Sequence, residues 1–314
     1  MHVLNVVTSG TSPFFEQQVR TLERMGVTCT TVSISDRRDM DDETVERRSV
    51  GSWVRFYARI AARLTEPYDL VHANYGLTAP IPVLQPRFPS VVSLWGSDLM
   101  GTIGPLSKAC ARHADEVIVM SEGMAAELDG PCHVIPHGVD TDRFRPLPRE
   151  GACREVGWDP GRKHVLFPYA AARSVKNYPR AERVFEAARE RVDGRVRLQT
   201  VSGVDHERMP LYYNAADAML MTSDSEGSPN TPKEALACNL PVVSTDVGDV
   251  HDQLDGVSPS AVCTSDAELV DALVSTLRTG ERSNGREKAK RAFSAERMGE
   301  RLLDVYERTI RRHG

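Results

Sequence analysis

Two glutamates in the stretch EGSPNTPKE, Glu226 and Glu234, flank a Gly-Ser-Pro-Asn segment that neither a helix nor a strand would hold in its interior. Thr231, Pro232 and Glu234 spell a capping box with proline at the first helical position, which would make Glu234 a helix cap. That leaves Glu226 without a task. A second polar set, AAARSVKN, puts Arg173 and Lys176 just after a strand-like run. A guanidinium beside an ammonium is what a diphosphate needs, although the same residues also make an ordinary solvated basic turn. A third set, TSGTSP at 8–13, follows the first strand and opens a helix. The N–H groups around Gly10 could cradle an anion or a sugar hydroxyl, or simply close a turn.

Elements must bring such residues together, and the chain alternates strand-like with helix-like runs from its start. HVLNVV, FFEQQVRTLERMG, VTCTTVSI, a helix around 52–65, YDLVHAN, SVVSLWG, a helix near 105–113, EVIVMS, a helix near 122–128 and HVIP form one series. A stretch rich in proline, glycine and charge, HGVDTDRFRPLPREGACREVGWDPGRKH, interrupts it as a linker would. The alternation then resumes with VLFPYAA, a helix at 177–191, VRLQTVSG, helices at 207–215 and 232–238, AMLMTS and PVVSTD. The expected fold class is α/β, with two Rossmann-like domains facing each other across a cleft at the carboxyl ends of their parallel strands. Expected bounds are 1–145 for the first domain and 146–292 for the second, with an amphipathic helix at 293–314 returning to the first.

Composition excludes several alternatives. The 314 residues carry a formal charge of −5 with 26% charged and 40% hydrophobic residues, ordinary globular values that favour neither disorder nor a broad nucleic-acid surface. The six cysteines, at 29, 110, 132, 153, 238 and 263, form no CxxC pair and no zinc-like spacing, so no metal site and no disulfide framework is expected. There is no GxGxxG and no Walker-type loop. The amino terminus reads as a strand and no run reaches membrane-span length, so the expected location is cytoplasmic, with the inner face of the membrane as an alternative. The second location rests on SWVRFYARIAARL, where Arg55, Arg59 and Arg63 share one stripe and Trp53, Phe56, Ile60 and Leu64 lie on other faces. A core helix with a basic solvated face reads equally well.

Several blocks together resemble retaining glycosyltransferases of family 4: IPHGVDTDRF at 135–144, Arg173 with the SVKN turn, NAADAMLMTSDSEGSPNTPKEALACNLPVVSTDVGD at 214–249, and the terminal YER helix. The opening stretch matches that family's E-x7-E motif. The resemblance covers nearly the whole chain and implies the GT-B fold. It also implies transfer of a sugar from a UDP- or GDP-sugar to a glycan or lipid-linked acceptor, with no cofactor and no metal. On it, Glu226 faces the transferred sugar, while Arg173 and Lys176 take the charge of the departing diphosphate. Glu234 holds the ribose hydroxyls, and Gly227, Ser228, Pro229, Asn230, Thr231 and Val204 complete the donor site. On one continuous helix the two carboxylates would point about 80° apart, at about 100° per residue, so a break into loop and helix lets both reach one ligand. Gly10, Trp95 and Asp98 form the acceptor side.

Two departures stand out. Trp95 occupies the place where many members carry histidine, and Arg173 lies closer to Lys176 than is usual. A catalytically silent homologue and a sugar-nucleotide epimerase are the alternatives, the first favoured by Trp95. His72 reads as a core histidine in preference to an acceptor-facing one; His137, Gly138 and Asp140 read as shaping a turn, and Met219 and Met221 as core.

Overall fold

The structure, a computed structural model, describes residues 1–35, 49–192 and 194–313. The chain divides into two compact units, Met1–Gly138 with Ala295–Gly314, and Val139–Ser294. The division falls upstream of the expected 145/146 boundary. The turn after Gly138 belongs to the second unit because Phe144 is buried in that unit's core and Arg286 holds the carbonyls of Thr141 and Phe144, each at 2.8 Å.

Among the described residues, the first unit holds a six-stranded sheet ordered β2-β1-β3-β4-β5-β6 and the second a five-stranded sheet ordered β11-β10-β9-β7-β8. In the first unit these are β1 His2–Ser9, β2 Thr28–Ser35, β3 Leu70–Asn74, β4 Ser90–Ser93, β5 Glu116–Val119 and β6 His133–Val134. In the second they are β7 Lys163–Phe167, β8 Val196–Thr200, β9 Ala218–Met221, β10 Val242–Thr245 and β11 Ala261–Cys263. All pairings are parallel. Covered on both faces, such strands read as near-continuous apolar runs, and β3, β4, β9 and β10 are buried along their whole length. Chain order reverses between β1 and β3 in one sheet and between β7 and β9 in the other. Ligands of open parallel sheets settle at the carboxyl ends flanking such a reversal.

The helix Ala295–His313 completes the first unit. Met298, Leu302, Val305 and Tyr306 enter its core, and the Tyr306 hydroxyl meets His72 Nδ1 at 2.6 Å. His72 is fully buried, its other ring nitrogen lies 2.7 Å from Ser93 Oγ, and burial pulls its pKa down to about 3. It is a neutral core histidine.

The helix Val50–Arg63 also serves the core. Phe56 and Ile60 are buried against β1, β2 and β3 residues, Arg59 donates to the Ser33 carbonyl at 3.0 Å, and Arg63 pairs with Glu66 at 2.8 Å. Of the four apolar residues named for an interfacial role, Phe56 and Ile60 are enclosed by protein, whereas Trp53 and Leu64 are half-buried and Val50 and Val54 are exposed. No helix among the described residues is long and apolar enough to cross a membrane.

Candidate functional site

In the second unit the residues singled out from sequence cluster around the reversal between β7 and β9. After β7 the chain makes a 3-10 turn, Ser174–Lys176, and Asn177 takes a left-handed conformation (φ 52°) that starts the helix Tyr178–Arg189. Its side chain accepts the Arg180 N–H at 3.2 Å, capping that helix. Thr222, just past β9, donates to the carbonyls of Lys176 and Asn177, both at 3.1 Å, and Asn177 donates to Asp224 at 2.8 Å. The turn after β7 is thereby docked on the loop after β9.

That docking delivers Lys176 to Glu226. The ammonium is buried, forms an ion pair with Glu226 Oε1 and lies 4.1 Å from the centre of the Tyr169 ring. Burial lowers its pKa, as does Arg173 to a lesser extent, while Glu226 pulls the other way. The Tyr169 hydroxyl bonds Thr231 and is held in its protonated form by burial. Arg173 is exposed and makes no ion pair among the described residues, so it lies near the cluster with its guanidinium still available.

Glu234 is also buried, but it does not cap a helix. The helix spans Asn230–Ala237 and begins at Asn230, so Thr231 is already inside it. No side chain caps its amino end, and its first N–H groups have no intrahelical partner. Glu234 Oε1 meets His206 Nε2 at 2.8 Å and Oε2 accepts the Tyr213 hydroxyl at 2.8 Å. This corrects the capping-box reading: the carboxylate points sideways into a polar pocket of three side chains. Burial lowers the His206 pKa but the Glu234 charge and hydrogen bond outweigh it, leaving it raised. Tyr213 is fully buried and held protonated.

Between the two glutamates, Gly227–Asn230 forms a turn fastened from outside itself. Ser228 donates to Asp249 Oδ2 at 2.8 Å, and Gln253 donates to the Pro229 carbonyl at 3.2 Å. Gly248 adopts φ 58°, and a Cβ there would sit 2.6 Å from the Gly227 oxygen, so only glycine fits. Val204 is partly buried on the loop after β8 and packs on the second core, with no hydrogen bond to the glutamates. Sequence reading missed Tyr169, His206, Tyr213, Lys233 and Asp249. Lys233 and Asp249 lay inside the quoted blocks, whereas His206 and Tyr213 carried no local signal.

The first unit shows its own arrangement at the carboxyl ends of β1, β3 and β4. Gly10 follows β1 with its Cα hydrogen toward Ser33. Asp98 is completely buried and accepts N–H bonds from Gly76 (2.8 Å), Trp95 (2.8 Å) and Gly96 (2.9 Å). Burial raises its pKa against those three bonds. Both oxygens of its carboxylate hold loops: Oδ1 the Trp95–Gly96 turn and Oδ2 the start of the turn at Gly76. Beside it Tyr75 has φ 121°, a strained value for a residue with a side chain. The half-buried Trp95 ring lies 5.0 Å from Phe14, 6.0 Å from Tyr75 and 5.2 Å from His137, and its indole nitrogen is buried with no partner among the described residues.

Residues 8–143 match the family described as Glycosyltransferase Family 4, and residues 176–279 match Glycosyl transferases group 1. The chain is 30% identical over 241 residues to the lipopolysaccharide core biosynthesis mannosyltransferase LpsB of Rhizobium meliloti, covering 65% of this chain and 69% of that protein. It is 24% identical over 312 residues to an MMP alpha-(1->4)-mannosyltransferase of Mycolicibacterium hassiacum, covering 81% and 74%. Among solved structures, sucrose-phosphate synthase from Thermosynechococcus elongatus superposes with TM-score 0.77 at 18% identity, covering 98% of this chain and 99% of that one. Anabaena HepE, solved with UDP, superposes with TM-score 0.69 at 15% identity over 98% and 100%. At those identities the structural likeness speaks for the GT-B fold alone, and the sequence matches supply the rest: the chain belongs to glycosyltransferase family 4.

Proposed function

We propose that this glycosyltransferase moves a hexose from a nucleoside-diphosphate sugar to a glycan or lipid-linked acceptor, with retention of anomeric configuration and without a metal ion, in the assembly of a surface polysaccharide, glycolipid or protein-linked glycan. The observation that carries the reading is the convergence of Lys176, Glu226 and Glu234 on one turn at the chain reversal of the second sheet. Two relatives named as mannosyltransferases support mannose as the first sugar to test, and the likeness to HepE, solved with UDP, supports a nucleotide sugar as the donor.

On this reading the diphosphate takes Lys176 from Glu226 and gains Arg173. Together with the uncapped start of Asn230–Ala237 they offset the charge that grows on the leaving group. Glu226, released, faces the sugar. Glu234 accepts the ribose hydroxyls on lone pairs that His206 and Tyr213 leave open, since a carboxylate has about four acceptor sites. The departing phosphate oxygen receives the acceptor's proton, so the first unit need only hold the acceptor. Trp95 would supply a flat apolar wall for it, and Asp98 keeps that wall's loop in place.

The test is incubation with GDP-mannose, UDP-glucose and related sugar nucleotides, with detection of released nucleoside diphosphate and NMR of the product's anomeric configuration. Arg173→Ala and Lys176→Ala should each weaken nucleotide binding about tenfold or more, since a hydrogen bond to a charged group is worth roughly 1.5–3 kcal/mol. Release from no donor would leave a catalytically silent homologue as the better reading, and an inverted product would refute retention.

A further inference from the structure

Lys233 is enclosed completely, with no exposed surface, although it lies inside the stretch that carries both glutamates. Lysines are almost never fully buried without a paired charge, because the ammonium loses its hydration. Here the ammonium donates to Ser228 Oγ at 2.8 Å and to Asn230 Oδ1 at 3.3 Å, and it lies 5.8 Å from the centre of the Phe293 ring. Ser228 passes its own proton on to Asp249 Oδ2 at 2.8 Å, and Gln253 donates to Asp249 Oδ1 at 2.6 Å. A chain of donors thus runs from the helix Asn230–Ala237 through the turn to the helix Val250–Leu254. A leucine or methionine would fill the same buried position without the desolvation cost, so the charge itself calls for an explanation.

We propose that Lys233 is a positioning residue for the nucleoside-diphosphate site: its ammonium, gripping Ser228 and Asn230 from beneath, holds the Gly227–Asn230 turn in the shape that receives the phosphates, and only the protonated form does so. The proposal rests on the donor reading of that turn. The charged groups that face Lys233 are Asp249 and Glu234. Burial lowers its pKa against their attraction, to about 8. Lys233 therefore gives up its proton well below the ordinary lysine range. The neutral amine still has two N–H groups for Ser228 and Asn230 but no charge to strengthen those bonds or to attract Asp249, and the turn loosens.

The signs of two effects then separate. A lysine whose folded pKa lies below its unfolded value of about 10.4 makes the native state more stable as pH rises between the two, because there the unfolded chain binds more protons. Nucleotide affinity moves the other way, falling as pH rises through about 8. A residue that served packing alone would show only the first effect.

Calorimetric titration of the full chain with GDP and UDP between pH 7 and 9 tests this, with wild-type, Lys233→Met and Ser228→Ala proteins checked for folding by thermal denaturation. Wild-type affinity is expected to fall at least threefold to fivefold across that range. Lys233→Met should bind about tenfold more weakly at pH 7 and show a flat profile, and it should melt lower than wild type, because Asp249 loses its cation while Ser228 and Asn230 lose a donor. Ser228→Ala cuts the link without touching the lysine and should flatten the profile too, which keeps the test open if the methionine variant does not fold. Wild-type and variant profiles that coincide in size and slope would overturn the role of Lys233. Wild-type protein that binds neither nucleotide would instead refute the donor reading itself, and the role of Lys233 with it.

Discussion

The pair Lys176–Glu226 invites a double-mutant cycle. Both side chains are largely out of water, with 6% and 15% of their surface exposed. Removing one member of such a pair leaves the other charge uncompensated, at a cost of about 3–5 kcal/mol when burial is complete. Glu226 keeps some contact with water and an amide can still accept a hydrogen bond, so Glu226→Gln should cost less, about 1.5–3 kcal/mol by the usual worth of a hydrogen bond to a charge. Lys176→Met should reach the upper range, because it also removes the cation from the Tyr169 ring, worth up to about 2 kcal/mol when desolvated. The double variant leaves no orphaned charge and should fall short of the sum by at least about 1.5 kcal/mol, within the range for directly contacting residues. Urea unfolding followed by Trp158, in a background with Trp53→Phe and Trp95→Phe, reads the second unit alone, because the other tryptophans lie in the first. A sum that matches the double variant to within about 0.5 kcal/mol would mean independent sites and refute the pairing. The same Glu226→Gln protein should bind bare GDP or UDP at least as tightly as wild type, since Lys176 is no longer claimed by a carboxylate.

Three further outcomes are expected. The raised pKa of His206 means that its pairing with Glu234 stabilises the fold below the unfolded histidine value, about 6.5, and that this contribution fades as pH rises through the folded value; the melting-temperature gap between wild type and His206→Gln should therefore be larger at pH 6 than at pH 8.5, and an equal gap refutes the pairing. Asp98→Asn offers one acceptor oxygen where Asp98 offers two to three N–H groups, so at least one buried group is orphaned at about 1–3 kcal/mol, and thermal unfolding of the first unit should shift downward. Trp95→Ala should raise the Michaelis constant for the acceptor and leave calorimetric nucleotide affinity near wild type, because Trp95 and the glutamates belong to different units; an unchanged acceptor constant would reduce Trp95 to packing.

What the sequence revealed follows from how local each signal is. Parallel strands covered on both faces are nearly continuous apolar runs, so β1, β3, β4 and β9 announce themselves despite a few buried polar residues such as His72. The same holds for the turn-breaking Gly-Ser-Pro-Asn segment. The capping box misled because its spelling concerns four consecutive residues, while the helix start was decided by Pro229 and the Glu234 side chain was claimed by His206 and Tyr213, 28 and 21 residues away. Lys233 was missed because charge on a helix ordinarily faces water, whereas Pro232 through Ala237 are all buried in their unit. The arginine stripe of Val50–Arg63 was legible, but that Phe56 and Ile60 would pack on protein depended on β1, β2 and β3, which no periodicity encodes. The proline-rich stretch suggested a boundary at 145/146, whereas Phe144 and Arg286 set it at Gly138 through contacts made far along the chain.

The return of the helix Ala295–His313 to the first unit has a consequence for how the protein is born. As the chain leaves the ribosome, Met1–Gly138 emerges first but lacks Met298, Leu302, Val305 and Tyr306, which its core requires. Val139–Ser294 is a continuous run and has every strand of its sheet once β11 has been synthesised. Domains made in a row usually mature from the amino end, whereas here the later-made unit can finish while the earlier one still waits, with His72 made long before the Tyr306 hydroxyl that it meets.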